Sequence, residues 1–358
     1  MPNQFTPKYE VIYQHYLSMI QNGELCVHDK LPSESEIGRS FGVSRITVVK
    51  ALDMLSKDGY ISKVQGSGSF VSAVPGARPQ DAGLKLISLI TAFQPRGREL
   101  SLIKVVEREI SAAGYLLSVS NSNDDPVLER QLLLQVKNRA DGIILYVSRS
   151  NRNEDIFYQM FEEKYPIVFI DKIPLPVPCD AVLPDNFAGG RMIGERLIQA
   201  GYTRFLLIFH QLYQFSSELH RFQGFMEALR QAGIPDSAVQ LFTISATEKE
   251  FSEPVSLLKS LTEKERRSFA VFCCNDIIAE HLLAQIRSKA SEVLNEVAFA
   301  GFDGLFSPPS DVSFFTVQQN PGLIGLSAAH LLLERIQTPT LFRSVQTIPV
   351  EPVDYVKE

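Results

Sequence analysis

The chain has 358 residues, 45% of them hydrophobic, and 35 Lys and Arg against 41 Asp and Glu give a formal net charge of −6. That length exceeds one ordinary domain and predicts two or three compact units with ample core. The charge excludes a polycation, so any contact with nucleic acid has to come from a local patch.

The start, MPNQFTPKYEVIYQHY, has neither the basic nor the apolar region of a secretory signal. No run of about 18 uncharged apolar residues could span a bilayer. A soluble cytoplasmic protein is expected. Cys26, Cys179, Cys273 and Cys274 form no CxxC pair and no cysteine–histidine spacing. They are expected to be buried free thiols, with no metal and no cofactor.

Residues 8–64 read as short amphipathic helices, followed by VQGSGSFVS, a strand–turn–strand with glycines at the turn. Ser33 and Glu36 have the spacing of a capping box, so a helix is predicted to begin there. Phe41-Gly42-Val43 ends it, the glycine supplying the positive φ of a tight turn, and Ser44 is placed to cap the next helix. At 100° per residue, Val48, Ala51, Leu52 and Leu55 share one core-facing arc. Arg45, Ile46, Thr47, Val49, Lys50 and Asp53 point the other way. Two short helices joined by a glycine turn, the second with such an outward face, fit a helix-turn-helix. On that reading Arg45 forks onto guanine or takes a phosphate, Thr47 and Lys50 hold phosphates, and Ile46 or Val49 meets a thymine methyl. The competing reading makes Arg45 and Lys50 ordinary solvated charges and packs Ile46 and Val49 under the following turn.

Residues 73–84, rich in Pro, Gly and Ala, are predicted to be a linker between a head (1–72) and a body (85–358). From Lys85 onward, eight apolar runs (KLISLIT, YLLSVS, GIILYV, PIVFI, RFLLIF, VQLFTI, FAVFCC and VAFAGF) alternate with helix-length amphipathic stretches. That alternation predicts βαβ units. Pattern alone leaves a single barrel and two doubly wound lobes open. Asn275, Asp276 and Asp303 follow apolar strands directly, where ligands bind in open α/β sheets. Asp276 could instead complement a helix dipole, and Asp303 could serve the GFDG turn. A G-x-S-x-G elbow, a Walker loop and a metal motif are all missing from the sequence, so no catalysis is expected.

The order LPSE, GVSR-x-TV-x-KAL, L-x-x-DG and QG-x-G-x-FV within the head resembles the winged helix-turn-helix of the GntR family. That resemblance implies a dimer on duplex operator DNA, with the second helix of the motif in the major groove and the wing tip at the minor groove. It places DNA contacts at Lys8, Glu34, Ser44, Arg45, Thr47, Lys50, Gln65 and Gly66. Ser35 and Val49 stand where the family often has arginine, and Ser67 where the wing tip is often basic. Residues 1–72 also carry about as many acids as bases, which implies a weaker electrostatic anchor.

In the body, DN-x-AGG, R-x-x-GF-x-x-AL-x-x-AG, F-x-x-ND-x-x-A, GFDG and a following TV-x-Q segment resemble the effector domain of the LacI/GalR repressors. That domain is similar to periplasmic sugar-binding proteins. The implied fold is an α/β periplasmic-binding-protein-like domain of two Rossmann-like lobes with three crossovers. Lobe 1 is expected over about 85–184 and 312–340, and lobe 2 over about 185–311 and 341–358. The implied effector contacts are Asp171, Arg221, Asn275, Asp303 and Gln319, with Phe93 as an aromatic platform or a plain core residue. A GntR-type head on a LacI-type body is similar to the arabinose-repressor group. The resemblance therefore implies a repressor of a carbohydrate operon answering to a small sugar such as L-arabinose, with a nucleoside or other non-sugar metabolite as the alternative.

Overall fold

A computed structural model describes residues 7–26, 29–64, 68–72, 85–93, 97, 100–149, 151–174, 178–210, 216–244, 251–339 and 342–355. The chain divides into two compact units, 1–84 and 85–358. The expected linker, 73–84, lies outside the described residues.

The first unit holds helices α1 (Lys8–Gln21), α2 (Glu34–Phe41) and α3 (Arg45–Lys57) and an antiparallel hairpin of β1 (Ile61–Val64) and β2 (Gly68–Val71). The capping box forms. The Ser33 hydroxyl accepts from the Glu36 amide at 3.3 Å, and the Glu36 carboxylate accepts from the Ser33 amide at 2.7 Å. Gly42 ends α2 with φ +60°, a conformation in which a side chain would be strained. Ser44 sits at the N-cap of α3 but caps no amide, because its hydroxyl is hydrogen-bonded to that of Thr47 at 2.9 Å. Val48, Ala51, Leu52 and Leu55 are all buried and pack with Ile12, Tyr16 and Ile37 of the other two helices.

The second unit contains two separate six-stranded sheets. The first runs, edge to edge, β13 (Val345–Ile348), β7 (Asp180–Pro184), β6 (Ile167–Ile170), β5 (Gly142–Tyr146), β3 (Leu86–Thr91), β4 (Leu116–Asn121), all parallel. The second runs β14 (Glu351–Tyr355), β12 (Phe314–Gln318), β11 (Ala298–Ala300), β10 (Phe269–Cys273), β8 (Arg204–Phe209), β9 (Val239–Thr243), with β14 alone antiparallel. In each sheet the chain order reverses beside the first strand, at β3–β5 and at β8–β10. Such switch points open a crevice at the carboxyl ends of the strands.

The eight apolar runs all form strands; DAVLP (β7), β13 and β14 were not foreseen. Two expected lobe boundaries are corrected. Phe314–Gln318, assigned to lobe 1, pairs with β11 in the second sheet, where its FFTV run is buried. The crossing comes only afterwards, at α12 (Pro321–Gln337). Val345–Ile348, assigned to lobe 2, pairs with β7 of the first sheet. Asp180, fully buried, accepts from Arg335 at 2.8 Å, Arg343 at 2.8 Å and the Ser344 amide at 2.9 Å. These bonds hold that edge strand in place. Cys179, Cys273 and Cys274 are buried, but Cys26, expected with them, is exposed. Among the described residues, no helix is long and apolar enough to cross a membrane.

Candidate functional sites

On the first unit, the outward face of α3 carries its mixed chemistry in the open. Ile46 is 82% exposed, a cost that a buried or methyl-reading role would offset. Ile46, Val49, Lys50, Asp53 and Met54 share one shallow surface. The Arg45 Nε donates to the Glu34 carboxylate at 2.7 Å, and the arginine side chain stays exposed. The Lys50 ammonium lies 3.8 Å from the centre of the Tyr9 ring, tying α3 to α1. Lys8 is exposed at the start of α1, while Thr47 and Val49 are half-buried. Gln65, Gly66 and Ser67, at the expected wing tip, lie outside the described residues.

In the second unit, a cleft of about 770 Å³ lies at the two switch points. The ends of β3, β5 and β6 contribute Phe93, Tyr146 and Asp171, and those of β10 and β11 contribute Asn275 and Asp303. Gln319, just after β12, lines a narrower extension together with Phe93, Tyr146, Asp171 and Asp303. All six residues singled out in the sequence for an effector therefore gather in one place. Five of them follow strands of the two sheets, and Arg221 comes from a helix.

Arg221, on α8 (Ser216–Gln231), is 4% exposed and held on three sides. Its Nε donates to Asn186 at 2.8 Å, one terminal nitrogen to the Cys274 carbonyl at 2.6 Å and the other to Asp303 at 3.2 Å. Its plane lies 3.8 Å over the Phe302 ring. Close helix packing permits this position. A Cβ on Gly190, in α7 (Asn186–Gln199), would sit 2.0 Å from the Arg221 carbonyl oxygen, and one on Gly224 would sit 2.0 Å from that of Phe187. The small residues of the AGG and GF motifs let the two backbones touch.

Asp303 has φ +109° and accepts from Gln319 at 2.6 Å. Burial pushes its carboxyl up to about 8; Arg221 opposes the rise, and Asp276 and Asp171 add to it. Burial also raises Asp276, to about 6, against donors from Thr316, Leu305 and Phe306. Those bonds make Asp276 a brace for the 303–306 turn. Asn275 caps α11 (Asp276–Lys289) by accepting from the Ile278 amide at 2.9 Å.

Further polar residues line the cleft without having been singled out, among them Asp124, Tyr146, Arg149, Lys172 and Glu218. The Tyr146 hydroxyl donates to Asp171 at 2.6 Å, and its ring meets Phe93 edge-on at 4.7 Å. Arg149 donates to Asp124 at 2.7 Å. Burial pulls the Lys172 ammonium below its ordinary value, with Asp171 and Asp124 acting in the opposite direction. Tyr146 and Lys172 were within reach of the strand-end rule that picked out Asn275 and Asp303. Glu218, in the first turn of a helix three residues before Arg221, carries no such signal. The cleft thus offers alternating donors and acceptors around aromatic edges, the chemistry of a polyhydroxylated ligand.

Residues 8–71 match the family described as bacterial regulatory proteins, gntR family. Residues 100–358 match periplasmic binding proteins and sugar binding domain of LacI family. An arabinose metabolism transcriptional repressor of Geobacillus stearothermophilus is 29% identical over 94% of this chain and 93% of the relative. The HTH-type transcriptional repressor PurR of Mannheimia succiniciproducens is 30% identical over 75% of this chain and 79% of its own length. A LacI family transcriptional regulator from Enterococcus faecium, solved with bound ribose, superposes with a TM-score of 0.61 at 20% identity, over 76% of this chain and 98% of that one; this likeness concerns the fold. The chain belongs to the LacI-type family of periplasmic-binding and sugar-binding domains, here carrying a GntR-family DNA-binding head.

Proposed function

We propose that this DNA-binding regulator represses a carbohydrate-utilisation operon in the cytoplasm. Its operator affinity would be set by a monosaccharide in the cleft, with L-arabinose the first candidate. The observation that carries this reading is the convergence of Phe93, Asp171, Arg221, Asn275, Asp303 and Gln319 on one cleft from two sheets. A ligand touching both sets holds the lobes together, and this differential affinity shifts the DNA-competent arrangement. A coupling of about 1–3 kcal/mol is sufficient. The operator is bound by a homodimer through Lys8, Glu34, Ser44, Arg45, Ile46, Thr47, Val49, Lys50, Gln65 and Gly66. The arabinose repressor's similarity over nearly its whole length supports the choice of sugar.

The Phe93–Tyr146 aromatic pair favours a second reading, a nucleoside whose base stacks there. A thermal-shift screen of the full chain against pentoses, hexoses and nucleosides, followed by operator release with each binder, separates the two. L-arabinose is expected to raise the melting temperature and change operator affinity. Asp303→Ala should abolish the rise and leave operator affinity intact. A response confined to nucleosides would overturn the sugar reading.

A further inference from the structure

Behind the cleft wall, three side chains with metal-ligating atoms meet. His210 follows β8 and Cys274 follows β10, and these strands are paired in parallel with Cys273 opposite Ile208. Both residues therefore emerge side by side at the carboxyl ends of two interior strands. Glu218 reaches them from the first turn of α8. All three are buried, and one donor atom from each lies within 4.8 Å of the others.

The Glu218 carboxylate lies 2.8 Å from His210 Nδ1, and the Cys274 Sγ lies 3.5 Å from that same nitrogen. A nucleophile–base–carboxylate relay needs its two partners on opposite ring nitrogens. Here both approach Nδ1, which cannot hydrogen-bond fully to the two at once. Three donor atoms within 4.8 Å of one another are close enough to share one ligand instead. With zinc bonds of about 2.3 Å to sulfur and 2.0–2.1 Å to nitrogen, a tetrahedral site has a sulfur–nitrogen edge of about 3.5 Å. The observed separation already matches it. The nitrogen–oxygen pair needs only to open from 2.8 Å to about 3.4 Å on the same geometry.

We propose that His210, Glu218 and Cys274 bind a divalent transition-metal ion of the zinc type at the wall of the effector cleft. Imidazole, carboxylate and thiolate are its preferred donors. Glu218 also lines the cleft, so the ion enters from there and completes its shell with water or with a hydroxyl of the effector. On binding, the thiol proton passes to solvent and the neutral imidazole carries its proton on Nε2. Arg221, which donates to the Cys274 carbonyl at 2.6 Å, opposes a bare cation at this spot. The carboxylate and thiolate together balance the two positive charges, so Arg221 faces a neutral cluster.

The test is titration of the full-length protein with Co²⁺, read by the thiolate-to-cobalt charge-transfer absorption, and then its displacement by Zn²⁺. One equivalent should produce the band and Zn²⁺ should remove it. Cys274→Ser should lose the band, Cys26→Ser should keep it, and Glu218→Gln, which preserves volume, should weaken Co²⁺ binding at least about ten-fold. Circular dichroism identifies which variants are folded; if Cys274→Ser is not, Glu218→Gln and Cys26→Ser decide. No band in the wild-type protein, a band kept by Cys274→Ser, or unchanged affinity in Glu218→Gln would each overturn the proposal.

Discussion

Arg221 and Asp303 face each other 3.2 Å apart at the cleft, yet burial raises the pKa of the carboxyl from 3.8 to about 8. Between these values the folded protein holds a proton that the unfolded chain has released. The unfolded state then binds fewer protons, so stability falls as pH rises through the window and levels off above about 8. Asp303→Asn, neutral throughout, should remove this contribution. Asp276 has the same sign between 3.8 and about 6, so the difference between variant and wild type is the quantity to read. A tenfold change in proton affinity is worth about 1.4 kcal/mol, and each kcal/mol moves the melting temperature by about 2–4 °C. Melting curves from pH 5 to 8 should show a decline several degrees shallower in Asp303→Asn. Parallel declines would remove Asp303 as the source.

Gly190 tests whether helix contact, rather than the guanidinium alone, positions Arg221. An added methyl would overlap the Arg221 carbonyl oxygen, and backbone cannot move aside as a flexible side chain can. Gly190→Ala is expected to push α7 and α8 apart, costing about 1–3 kcal/mol or more by overpacking. It should also weaken effector binding in the protein that remains folded. Denaturant melts and ligand titration check both; wild-type stability with wild-type affinity would show that the contact yields without consequence.

Local rules reached far into this chain, and they failed where distance in sequence took over. The capping box at Ser33–Glu36, the turn at Gly42 and the buried stripe of α3 are set by neighbours three or four residues apart. Each could be read directly. The edge strand Val345–Ile348 mixes one apolar and one polar residue on each face and depends on Asp180, 163 residues before Arg343, for its place. No window of sequence contains that bond. In the cleft, Asp171, Asn275 and Asp303 sit at visible strand ends. Glu218 and Arg149 face the same space only because a helix and a loop return to it, and the His210–Cys274 contact spans 64 residues. The Ser44 hydroxyl shows a finer limit: a capping residue at a capping position chose a neighbouring side chain.

Arg45 and Glu34 form an ion pair between α3 and α2 of the head. The pair is exposed, with Arg45 78% accessible, so it adds little to stability. It ties the Arg45 Nε to α2. Arg45→Ala should therefore leave melting unchanged and weaken operator binding by about 1–3 kcal/mol, roughly 5- to 150-fold, if the fork meets a guanine. Glu34→Gln keeps an acceptor and should cost less. Fluorescence anisotropy with labelled operator reads both, and an unaffected Arg45→Ala protein would take α3 out of the groove.

Ile46 offers a test that charge cannot confound. A side chain 82% exposed contributes little to the fold, so Ile46→Ala should change stability by less than about 0.5 kcal/mol. If its methyls meet the C5-methyl of a thymine, that contact is apolar and almost independent of salt. Replacing individual operator thymines with uracil deletes only the methyl group. One such position should weaken wild-type binding and leave Ile46→Ala indifferent, so that the two changes together cost no more than either alone. Phosphate contacts from Lys8 or Lys50 would show the reverse pattern, a shallower salt dependence with no sensitivity to uracil. Additive losses at every thymine would place Ile46 away from the bases and leave recognition to Arg45 and its polar neighbours.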